Sequence, residues 1–85
     1  MAEVHGYYLQ DLGVLLREQA VEARDRAFAV PADPSNYAAF EAGRWQAYWE
    51  VLSLMVQQAS AFELPLKDIG LTGWEPDIEL APKSR

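Results

Sequence analysis

The chain contains no cysteine, which removes both a disulfide framework and a thiolate metal site. Its one histidine, His5, stands alone, so neither the Glu-x-x-His pairs of di-iron bundles nor a His-Glu-x-x-His zinc helix can be assembled. No metal and no cofactor are expected. Lysine is almost as rare, at two residues, and 13 acids against 7 Lys and Arg give a formal charge of −6. Nucleic-acid binders gather basic side chains to displace counterions from phosphate, and anionic membrane surfaces select for the same chemistry. Neither partner is expected here, and the acidic balance reads first as solubility.

Long apolar runs are missing as well. The longest candidate, Val51–Val56, is six residues and includes Ser53, against the roughly 18 to 20 needed to span a bilayer. The opening MAEVHGYYLQDLG has neither the basic nor the apolar segment of a secretory signal, so a cytoplasmic protein is the expectation. The five glycines are spread singly, and no Gly-rich phosphate loop exists. The serines (Ser35, Ser53, Ser60 and Ser84) share no helix face with a base. No catalytic residue stands out, and an enzyme is not expected.

What the chain does have is apolar surface. Hydrophobic residues make up 51% of its 85 residues and aromatics 12%, too much for a disordered chain and suited to one small domain. From Glu3 to Ala29 there is no proline, and small residues recur every seven: Gly6, Gly13, Ala20 and Ala27. Leu9, Leu16, Ala23 and Val30 follow each by three, which makes one seam along a helix. Each glycine costs on the order of 1 kcal/mol of helix propensity against alanine. That cost fits a helix that something approaches closely, bulky side chains opposite filling the space.

The break VPADPSN, Val30 to Asn36, ends this helix and starts the next, with Asp33 before Pro34 or Ser35 as the cap. So short a connection makes the two helices antiparallel neighbours. The second helix, from Pro34 or Asn36 to Phe62 or Glu63, carries a narrow polar strip of Gln46, Glu50, Ser53, Gln57 and Ser60. Nearly everything else on it is apolar. An ordinary surface helix shows an apolar stripe of about 100° or somewhat more; this arc is about twice as wide. One partner helix cannot cover it.

Next, ELPLKDIGL (Glu63–Leu71) reads as a short helix with Pro65 at its start and Gly70 at its stop. After it, Trp74, Ile78 and Leu80 interleave with Glu75, Asp77 and Glu79, an extended acidic and apolar tail able to dock along a groove. The expected fold is all-α: a hairpin with a short third helix over 1–71 and an extended tail over 72–85. Two hairpins would pair into a homodimeric four-helix bundle, with Trp45, Tyr48, Leu52, Met55, Ala59 and Phe62 as the self-association residues.

Other residues bear on function. Asp11, Glu18, Glu22 and Asp25 form an acidic stripe on helix 1. It is a solvated face eased by Glu22 and Arg26 at an i, i+4 spacing, or a docking surface for a basic partner. Arg44 falls inside the apolar arc of helix 2, where a charge must be paired. With Glu41 it makes a buried ion pair; with Tyr48 and Arg17 or Arg26 it makes an anion pocket. Gln58 intrudes on the same arc and can set register at a helix interface. Val14, Val21 and Phe28 form a second stripe on helix 1, which marks a further interface (a tetramer, or another protein) or lies under the tail.

The function these features favour is a non-catalytic, homo-oligomeric interaction or regulatory module. The alternatives are an acidic inhibitor or nucleic-acid mimic seated in a basic groove, and a small helical enzyme holding an anionic molecule near Arg44.

Overall fold

The computed structural model describes residues 2–29 and 36–82. Two long helices dominate it: α1 (Ala2–Ala29) and α2 (Asn36–Ala61). A 3-10 helix (Leu66–Ile69) and a one-turn helix, α3 (Pro76–Glu79), follow. No strand occurs among the described residues. The chain is all-α, as its apolar periodicity implied, and the bounds of both long helices lie close to the expected ones. The connection at 30–35, with the seam position Val30 and the capping roles read for Asp33, Pro34 and Ser35, lies outside the described residues.

α1 and α2 run antiparallel. Phe28 meets Trp45 edge-on with ring centroids 5.3 Å apart. Nine residues back along α1, Gln19 Oε1 accepts a hydrogen bond from the Tyr48 hydroxyl at 2.7 Å. Residue numbers thus fall along α1 as they rise along α2. The small residues of the α1 seam allow this close approach: Ala20 and Ala23 are fully buried, as is Leu52 on α2.

A Schellman cap ends α2. Glu63 takes a left-handed φ of 57°, its N–H donates to the Ser60 carbonyl at 3.0 Å, and the Leu64 N–H reaches back to Ala59 at 2.7 Å. Two carbonyls otherwise orphaned at the helix end are satisfied in this way. Pro65 then occupies the N-cap of the 3-10 helix and Gly70 its C-cap, with φ 74°. Gly70 stops the short helix as expected, while Pro65, expected at its first helical position, stands one residue earlier at the N-cap.

Gly70 also explains the close approach that the α1 seam foreshadowed. A Cβ at Gly13 would collide with the Ile69 carbonyl, and one at Gly70 would collide with the Gln10 carbonyl and stand 2.8 Å from the Val14 nitrogen. The backbones of α1 and the 3-10 helix therefore touch directly. Bulky α2 side chains were expected opposite the seam, but at Gly13 the occupant is main chain.

From Gly70 the tail runs along the groove between the long helices, in the direction of α1. Leu71, Trp74 and Leu80 are buried and join Ala20, Leu52, Ala59 and Ile69 in one core. Each such large side chain stabilises by about 1.5–3 kcal/mol relative to exposure. Arg17 lies over the Trp74 ring, 5.6 Å from its centroid, and Arg24 Nη1 donates to the Glu79 carbonyl at 2.6 Å. Of the second α1 stripe, Val21 is half-buried against the same core and Phe28 against Trp45 of α2, while Val14 is 40% exposed.

The tail is not extended throughout. Pro76 sits at the first position of α3, where its fixed φ favours a helical turn. A helical turn separates Pro76 and Ile78 onto different sides. Pro76 is buried and Ile78 is 65% exposed. Of the three tail residues read as docking, Trp74 and Leu80 are buried in the core and Ile78 faces outward.

Candidate functional site

Three sides of α2 carry apolar residues, and each meets a different environment. The side facing α1 holds Leu52 and Ala59, both buried. The side facing the tail holds Trp45, whose indole N–H donates to the Leu80 carbonyl at 2.9 Å, and Trp49, whose indole N–H donates to Asp77 Oδ1 at 2.9 Å. Beyond them the polar strip meets solvent, with Gln46, Glu50, Gln57 and Ser60 exposed. The remaining side is apolar and covered by nothing among the described residues: Phe40 is 62%, Val51 47% and Leu54 57% exposed. On α1 the same open side continues through Leu15, 46% exposed.

Between the helices on this side lies a groove of about 220 Å³ lined by Leu16, Arg44, Ala47, Tyr48 and Val51. Tyr48, half-buried in its lining, donates across to Gln19, and Met55 is half-buried against the core. Of the six residues expected to self-associate, Leu52 and Ala59 belong to the core and Trp45 lies partly under the tail, while Tyr48 and Met55 are half-buried and Phe62 is open at 73% exposure. Phe40, Val51 and Leu54 take their place on the open side. All three belong to the wide apolar arc, but arc width alone does not say which part turns outward.

Arg44 stands in this groove, paired within its own helix. Its Nη1 is 4.0 Å from Glu41 Oε2, and the guanidinium lies over the Tyr48 ring, 5.5 Å from the centroid. The Glu41 side chain is 3% exposed and that of Arg44 28%. At 4.0 Å the pair is ionic but too long for a hydrogen bond, and both facing atoms lack any hydrogen-bond partner. Burial of a charge in this way is costly unless the pair holds together.

The other arginines do not join it. Arg17 is stacked on Trp74 and Arg26 Nη2 is 2.7 Å from Glu22. Arg44 is brought together with Glu41 as an ion pair and with the Tyr48 ring as a cation–π contact, while the wider cationic pocket is not assembled. The acidic stripe is partly neutralised along α1: Glu22 pairs with Arg26, and Asp25 is 3.2 Å from Arg24. Asp11 and Glu18 are exposed. At the start of α1, a hydrogen bond from its own backbone N–H holds the Glu3 carboxyl below its usual range, well away from the groove.

The chain matches no protein-family model, no curated protein and no solved structure.

Function is therefore read from the open face itself. Among the described residues no three of His, Cys, Asp and Glu gather as a metal site would require, and no helix is long and apolar enough to cross a membrane. What the face offers is apolar area rimmed by two polar groups, Arg44 and Gln58, both able to hydrogen-bond.

Proposed function

We propose that this chain is a non-catalytic interaction module that works as a homodimer, two hairpins forming a four-helix bundle with the open side of α2 buried between them. The observation that carries this reading is the unequal cover of α2. The tail covers one apolar side in part, leaving Trp45 and Trp49 half-buried and hydrogen-bonded, whereas Phe40, Val51 and Leu54 on the other remain open to water. Each is already roughly half covered, so burying what remains open would stabilise the assembly by roughly 0.8–1.5 kcal/mol per residue before the cost of association.

Sedimentation equilibrium on the wild type and on Leu54→Glu tests it. The side chain of Leu54 makes little contact inside its own subunit, so the variant keeps the helical content and melting cooperativity of the wild type as a monomer. A wild-type dimer that Leu54→Glu dissociates supports the reading. A wild-type monomer at tens of micromolar rejects it.

A further inference from the structure

The open side of α2 has a regular grammar. Phe40, Arg44, Ala47, Val51, Leu54 and Gln58 recur at alternating steps of four and three residues, the spacing with which one helix receives another along its length. None of the six is fully buried within the subunit. The occupant they fit is a helix.

The order of residues along this seam points to α2 of a second copy, reversed. Val51 lies at the centre. Arg44 and Gln58 stand equally far from it on either side, as do Phe40 and Phe62, while Ala47 and Leu54 differ by a single position. Running the seam backwards therefore sets a donor fork against an amide, an aromatic ring against an aromatic ring, and a small residue against a large one. A parallel pairing would stack Arg44 on Arg44, two cations face to face, and Ala47 on Ala47, leaving a gap. The open residues agree with a missing partner of helical length: Phe40, Val51 and Leu54 are 47–62% exposed over about four turns of α2.

We infer that two copies pack α2 against α2 in antiparallel register across a two-fold axis at Val51, with Arg44 of each copy donating to the side-chain carbonyl of Gln58 in the other. This rests on the homodimer reading and adds its geometry. Arg44 is then held from two sides, by Glu41 in its own helix and by the amide across the axis, and the groove beside it is filled by the second copy.

Because the chain has no cysteine, single-cysteine variants of the full chain report the register directly. Under mild oxidation Val51→Cys should form a disulfide with itself. Ala47→Cys and Leu54→Cys should cross-link when mixed and at less than about a tenth of that yield alone, since a disulfide requires Cα atoms within about 7 Å. In parallel register each of the three would link to itself and the mixture would give no 47–54 bond. Gln58 supplies a second readout in the dissociation constant. Gln58→Glu should tighten the dimer several-fold by facing Arg44, and Gln58→Lys should weaken it at least tenfold. In a parallel dimer both would weaken it.

A wild-type monomer by sedimentation overturns the homodimer reading and this inference together. A dimer with the parallel pattern, or one that links at none of the three positions, overturns the inference and leaves the homodimer standing.

Discussion

The two apolar sides of α2 that do not face α1 are close in composition and opposite in fate. On one, Trp45 and Trp49 bring two indole N–H groups that must be paired when desolvated, and the tail supplies a carbonyl at Leu80 and a carboxylate at Asp77 at 2.9 Å each. On the other, Phe40, Val51 and Leu54 carry no polar atom and stay in water. The difference shows what the tail accomplishes. It covers the side that needs directional partners and leaves the side that any apolar surface can satisfy. The first side makes a fold; the second makes a face.

The comparison breaks most severely at the core end of the tail. Trp74 is 2% exposed and lies under Arg17. Trp74→Ala should cost about 3–5 kcal/mol, the range for emptying a buried aromatic site, and for a chain this small that is a large share of total stability. Chemical denaturation at low protein concentration, where association contributes least, would show it as a loss of the folded baseline or a sharply lowered midpoint. Phe40→Ala on the open side, read in the same assay, should change the monomer by no more than about 0.5 kcal/mol. Equal effects at the two positions would mean that the sides are not distinct.

A smaller contrast, with a change of sign, separates two glycines. Gly→Ala inside a helix ordinarily stabilises by about 0.5–1 kcal/mol. Gly43 has nothing within 4 Å of the position its Cβ would take, so Gly43→Ala should stabilise the chain by that amount, read as a raised denaturation midpoint. Gly13 faces the Ile69 backbone, which has no flexible end to move aside. Gly13→Ala should instead destabilise by about 1–3 kcal/mol through overpacking. The opposite order would place the 3-10 helix away from α1.

Much of this architecture is legible in the sequence. Proline-free length and the polar strip identify both helices, and Pro65 and Gly70 mark the short one because each has a backbone role that few residues can share. Arg44 and Glu41 are visible as a pair by their spacing of one turn. Rotation is harder to read. A helix apolar over most of its circumference gives no internal reason for Leu52 to face inward and Leu54 outward; that depends on where the tail lies, and the tail's path depends on a contact between Gly13 and Gly70 far apart in sequence. Ile78 is misjudged for a local reason. Alternation implies a strand-like period, and Pro76 starts a helical turn that changes the period to 3.6. Arg17 goes to Trp74 instead of to Arg44 because the tail offers a flat ring on its side of α1.

The smallest effect lies where α2 hands over to the tail, the point that sets the two sides apart. Glu63 holds a left-handed φ of 57° as the C′ residue of the Schellman cap, a conformation that costs a side chain roughly 1 kcal/mol and glycine almost nothing. Glu63 is exposed, so the substitution removes no packing. Glu63→Gly should therefore stabilise the chain in equilibrium denaturation, though by less than the full 1 kcal/mol, because glycine also loses more conformational freedom on folding. Glu63→Val, whose β-branch suits that φ worst, should lower the midpoint by a similar or larger amount. If both variants were neutral, the turn would not be constrained by the cap, and the tail's line along the covered side would have to be fixed by the Gly13–Gly70 crossing alone.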